Sequence, residues 1–182
     1  MFMKKNYIIL SCLLALLVIV FISGCVKKPT VVTSECDTIS DSSAKIECLV
    51  QLGISKQDIS ICNQIQGERK YGCYYGIGVK SGNPSICDKI PDVAYKNPCY
   101  KEIAEATLNP SLCAKVENVP YQERDVCYGN IAANKKDVSI CDKIESPDLN
   151  ILCRAAIKKD ISMCSGIQNA DLKTLCQDVD KQ

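Results

Sequence analysis

Apolar positions in this chain recur with the period of a helix lying on a surface. After Ser146-Pro147, which suit a cap and first turn, Leu149, Leu152, Cys153, Ala156 and Ile157 follow the i, i+3, i+4, i+7, i+8 spacing of an amphipathic helix. Leu172, Leu175, Cys176 and Val179 repeat it. Earlier in the chain, Cys48, Cys73, Cys99 and Cys127 are each followed four residues later by an aliphatic: Leu52, Ile77, Ile103 and Ile131. A shorter helix is predicted ahead of each longer one. Asp58 to Cys62, Asn83 to Cys87, Asn109 to Cys113, Asp137 to Cys141 and Asp160 to Cys164 share one pattern. It runs Asp or Asn, then Pro or an apolar residue, Ser, an apolar residue and Cys. The leading carboxylate or amide accepts from free amides of the first turn, and proline suits the first helical position. Three residues after each of these cysteines comes Ile65, Ile90, Val116, Ile144 or Ile167, on the same helical face.

The pattern is an internal repeat, and a repeat dictates architecture. Six cysteine pairs mark it: Cys36/Cys48, Cys62/Cys73, Cys87/Cys99, Cys113/Cys127, Cys141/Cys153 and Cys164/Cys176. Each unit reads as a helical hairpin with one inward cysteine per helix. Short connections make neighbouring helices antiparallel. The expected fold is all-α, a short solenoid of about six disulfide-stapled hairpins spanning 36–182. The first unit is irregular, with Ser34-Glu35-Cys36 and Ile39, as terminal repeats often are.

Two pairings of the cysteines are open. One joins the two within each unit and leaves none over. The rival joins each second cysteine to the first of the next unit, stranding Cys36 and Cys176. Within a unit, the heights of Cys141 and Cys153 above their loop differ by roughly 6 Å, against near 9 Å for Cys127 and Cys141, which favours the first arrangement.

The N-terminus decides the compartment. Lys4 and Lys5 precede an apolar run from Tyr7 to Ile22, and Ile22-Ser23-Gly24-Cys25 follows. That order is a secretory signal peptide. The last four residues resemble the prokaryotic lipobox: an aliphatic, two small residues and a cysteine. The resemblance implies cleavage before Cys25, lipidation of Cys25, and a prokaryotic lipoprotein tethered to the outer face of the cytoplasmic membrane or to the cell surface. The chain then divides into a signal peptide, 1–24, a lipidated cysteine with a tether, 25–35, and the repeat domain. The alternative is an uncleaved anchor, since Tyr7 to Val26 is long enough to span a bilayer core of about 30 Å. Either way the repeat domain faces outward. Cys12 lies in the apolar run and acts there as a small hydrophobe.

Export explains the cysteines. Of 14, removing Cys12 and Cys25 leaves an even set in a compartment where disulfides persist. The chain has no histidine and no closely spaced cysteine pair, so zinc, haem attachment and C-x-x-C redox chemistry lack their ligands. No cofactor or metal is expected. Without histidine the commonest general base is missing, and no catalytic residue is assigned. Lys and Arg total 22 against 21 Asp and Glu, with no basic patch for nucleic acid. Lys135-Lys136 and Lys158-Lys159 read as helix ends, where cations suit the dipole. With no tryptophan and two phenylalanines, the core is short of large groups and depends on its staples.

In architecture alone, the repeat region is similar to the Sel1-like and Helicobacter cysteine-rich proteins, which stack disulfide-bridged αα hairpins outside the cytoplasm. The units here are shorter, and no residue-level function carries over. Solenoids present extended binding surfaces, so the expected function is a membrane-anchored binding or scaffold module for a protein or peptide partner. The competing expectation is a structural envelope component with no discrete ligand.

Tyrosines supply the candidate patch. Tyr74, Tyr100 and Tyr128 each follow a second cysteine, where packing between units is the ordinary reading. Tyr71, Tyr74 and Tyr75 fall at i, i+3, i+4 beside Gly72 and Gly76, on a face expected to turn away from Cys73 and Ile77. Either they pack between units or they form an aromatic recognition patch. As a patch, Tyr71 and Tyr75 would be well exposed.

Overall fold

The recurring Asp-or-Asn-x-Ser builds every start after the first unit. In the computed structural model, which describes residues 34–117 and 122–179, Oδ1 of Asp58, Asn83, Asn109, Asp137 and Asp160 accepts the backbone N–H two residues on, at 2.9–3.1 Å. The same oxygen accepts the serine hydroxyl at 2.6–2.8 Å. The serine is therefore part of the cap.

From these caps come four-residue helices, Ile59–Cys62 and Pro84–Cys87, and 3₁₀ turns, Cys113–Lys115, Val138–Lys143 and Ile161–Gly166. The first unit has Ser34–Asp37 in this place. Longer helices follow: Ser42–Lys56, Arg69–Ser81, Val93–Ala106, Glu123–Lys135, Pro147–Lys158 and Ala170–Gln177. No strand occurs among the described residues. The fold is an all-α stack of hairpins, numbered here as units 1 to 6.

A residue with positive φ precedes each of the next five caps: Gln57, Gly82, Leu108, Lys136 and Lys159, at 50–64°. The next residue is the Asp or Asn cap. Its N–H donates back to the carbonyl of Gly53, Gly78, Ala104, Ala132 or Ala155 at 2.9–3.1 Å, closing a Schellman-type end. Its side chain meanwhile opens the following turn. The cap thus closes one helix and starts another.

Those five accepting residues are all small and buried. The reason is the next unit's disulfide. A Cβ on Gly53 would lie 2.8 Å from Cys73 Sγ and 3.3 Å from Cys62 Sγ, and one on Gly78 would lie 3.0 Å from Cys99 Sγ. Ala155 packs with Cys164, Ile167 and Cys176 in the same register. Only a glycine or alanine fits between a helix end and the bridge below it.

All six bridges close within units: Cys36–Cys48, Cys62–Cys73, Cys87–Cys99, Cys113–Cys127, Cys141–Cys153 and Cys164–Cys176. Their Cα separations of 5.7–5.9 Å are ordinary for a disulfide. The rival between-unit pairing does not occur. Such a set belongs to an oxidising, extracellular environment. Around the sulfurs, Ile65, Ile90, Val116, Ile144 and Ile167 are buried, as are Leu52, Ile77, Ile103 and Ile131.

Polar latches hold neighbouring units in register. Asn97 donates to Glu117 O at 2.8 Å and accepts its N–H at 2.9 Å. Asp125 accepts Glu145 N–H at 3.2 Å and Ser146 N–H at 2.9 Å. Asp148 accepts Gln168 N–H and Asn169 N–H at 3.0 and 2.8 Å. In each case a long helix reaches the backbone four or five residues past the next unit's first cysteine. The expected signal peptide, Cys25 and most of the tether lie outside the described residues. Among the described residues no helix is long and apolar enough to cross a membrane.

Candidate functional site: an apolar groove across units 4 to 6

The tyrosines come first, because the sequence singled them out. Tyr74 is buried at 7% exposure, and its hydroxyl donates to Asn63 Oδ1 at 2.5 Å. Tyr100 is buried equivalently, its hydroxyl donating to Asp88, and Tyr128 is buried beside Cys127. Burial raises the pKa of all three phenols, reinforced by Tyr71 at Tyr74 and by the Asp88 carboxylate at Tyr100. Arg154, which follows Cys153 as the tyrosines follow theirs, pairs with Asp142. In units 2, 3 and 5, therefore, the residue after the second cysteine binds the residue after the first, bracing the staple.

Tyr71 and Tyr75 are half-buried. Tyr71 meets Tyr95 of unit 3 at 6.4 Å between ring centroids. The Tyr75 hydroxyl donates to Glu102 of unit 3 at 2.5 Å, and burial followed by that bond pushes its pKa up to about 12. The three tyrosines do not share an exposed face. Tyr74 sits beside Cys73 on the inner side, and the other two bridge to the following unit. The physical reason is that a helix stacked between two neighbours buries more of its circumference than a single inward stripe. Gly76 does allow close approach, since a Cβ there would lie 2.8 Å from Ile54 Cγ1 of unit 1. Gly72 does not serve this role; its nearest neighbour would be Tyr95 Cε1 at 3.8 Å.

An apolar opening lies elsewhere. A cavity of about 360 Å³ runs across the long helices of units 4, 5 and 6. Gly129, Ala133 and Ala156 lie along it, with Leu149, Leu152 and Leu172 beside them and Val126 and Leu175 at its exposed edges. The side chains of Val126 and Leu175 are 37% and 52% exposed, high for residues of this type. Leu149 and Leu152, read from the sequence as inward, are only half-buried because their face of the helix opens into this groove.

Small residues carve the groove. Two and six residues after its second cysteine, unit 2 has Tyr75 and Val79, and unit 3 has Lys101 and Glu105. Unit 4 has Gly129 and Ala133 at those positions. Comparing those positions across units is the signal that could have located the site from sequence. The nearby polar groups are already committed: Asp125 to the two backbone N–H groups of unit 5, and Asn130 Nδ2 to Glu105 Oε1 at 2.8 Å.

The lysines at helix ends also have defined roles. Lys80 Nζ donates to Ser55 O and Lys135 Nζ to Leu108 O, each reaching the end of the preceding long helix. Among the described residues no cluster of three or more Cys, Asp or Glu side chains could hold a metal ion. Compared with models of protein families, with curated proteins and with solved structures, the chain matches none.

Proposed function

We propose that this chain is an exported lipoprotein, anchored through Cys25, whose repeat domain binds an apolar stretch of a protein partner in the groove of units 4 to 6. The observation that carries the binding reading is the groove itself, lined by the small residues Gly129, Ala133 and Ala156 together with Leu149, Leu152 and Leu172. Small-molecule sites combine apolar walls with a few free polar groups that orient the ligand. Here Asp125 and Asn130 are occupied within the fold, so orientation falls to shape. A row of apolar side chains from a peptide or helix supplies that shape. Six disulfides in an outward-facing scaffold suit a module that must hold its surface rigid outside the cell.

The test is a displayed peptide library selected on the protein. Enrichment of peptides with apolar residues at regular spacing is expected. Ala133→Glu and Leu175→Glu, both at exposed positions, should weaken their binding at least about tenfold with the melting temperature unchanged. Absence of enrichment, or binding indifferent to both substitutions, points to a structural envelope component instead. For the anchor, mass spectrometry of the N-terminal peptide should show a lipidated Cys25, and Cys25→Ser should abolish it. An intact N-terminus from Met1 would overturn the cleavage reading.

A further inference from the structure

Five of the six bridges have both cysteines buried, and Cys36–Cys48 does not. Cys36 is fully buried, but Cys48 is only partly covered. The difference follows from the stacking rule. Gly53, Gly78 and Ala155 each lie against the bridge of the unit that follows. Among the described residues no unit precedes unit 1 to lay such a residue on its bridge.

The short helix that this bridge holds is also thinly attached. Before the first cysteine, units 2 to 6 carry Ile61, Ile86, Leu112, Ile140 or Met163, all at least partly buried, whereas unit 1 carries exposed Glu35. Ile39 is half-buried where its counterparts Ile65, Ile90, Val116 and Ile167 are at 0–1% exposure. The ion pair Lys45–Asp37, at 3.1 Å, lies in water with its side chains 38% and 58% exposed, where such pairs hold weakly.

We propose that Cys36–Cys48 is a thiol-addressable latch that sets the reach of the domain from whatever precedes residue 34. A thiolate from a small thiol or a dithiol protein attacks the Cys48 sulfur in line with the S–S bond. A mixed disulfide forms on Cys48, and Cys36 leaves as a thiolate that takes a proton from water. A second thiolate attacks the reagent's sulfur, releasing the oxidised reagent and the Cys48 thiolate. Two thiols are oxidised and one disulfide is reduced. The segment from residue 34 to Asp41 is then free to extend, to a span of at most about 25 Å at roughly 3.3–3.6 Å per residue. Units 2 to 6 keep their bridges and their shape. The chemistry needs neither the groove nor the lipid.

Timed exposure of the native full chain to reduced glutathione, followed by alkylation and peptide mapping, tests this. Cys36 and Cys48 should be labelled roughly tenfold faster than any other pair, because buried bridges must wait for local opening. Cys36→Ser combined with Cys48→Ser should leave the helical signal and a single cooperative melt nearly intact. Labelling of all pairs together, or of another pair first, overturns the proposal. So does loss of the fold in the double variant, since a latch must open without unfolding what it holds.

Discussion

The caps do the same work with and without charge. Asn83 and Asn109 hold their serines in the geometry used by Asp137 and Asp160. The carboxylates of Asp137 and Asp160 are held below the usual range, first by the serine hydroxyl and then by the backbone N–H. The Asp148 pKa is lowered by the N–H groups of Gln168 and Asn169. A depressed folded pKa contributes stability above the unfolded value of about 3.9, and that stability is lost as pH falls through the folded value. Asp137→Asn with Asp160→Asn should therefore leave neutral-pH stability nearly unchanged and flatten the acid limb. Denaturant melts between neutral pH and about pH 3 check this. An unaltered acid limb would place the titrating groups elsewhere.

Within an element, two glycines of similar appearance have opposite meanings. A Cβ on Gly72 would meet no neighbouring helix nearer than Tyr95 Cε1 at 3.8 Å, so this is a helix position where alanine is simply better. Gly72→Ala should stabilise by about 1 kcal/mol. A Cβ on Gly53 would lie 2.8 Å from Cys73 Sγ, and a sulfur fixed in a bridge cannot swing aside. Gly53→Ala gains the same propensity, but overpacking of about 1–3 kcal/mol should outweigh it. Thermal melts of the two variants should move in opposite directions. This contrast also shows what could be read from sequence. The caps, the Ile65-type positions and the staples depend on residues within one hairpin, so their spacing revealed them. The role of Gly53, the burial of Tyr74 and the groove at Gly129 and Ala133 depend on how one unit meets the next, which spacing inside a helix does not encode. The Asn97, Asp125 and Asp148 latches went unseen for the same reason: each is a side chain bound to the backbone of another unit.

Over the whole molecule, stability rests on many small closures. Each bridge shuts a loop of 11 to 14 residues, worth about 3 kcal/mol in the chain-entropy account, against a usual net stability of about 5–15 kcal/mol. Opening two or three interior bridges approaches the total. Complete reduction should abolish most of the helical circular dichroism at physiological temperature. Retention of the signal would show that the packed isoleucines suffice without the sulfurs.

The within-unit pairing also bears on how the chain matures. The first cysteine of every unit has as its partner the next cysteine along the chain. A polypeptide released amino end first exposes a thiol, then its mate a dozen residues later, before any competitor arrives. Oxidation in order of emergence yields the native set directly, with no reshuffling step. Unit by unit, the chain can lock each turn of the stack behind it as it enters an oxidising compartment.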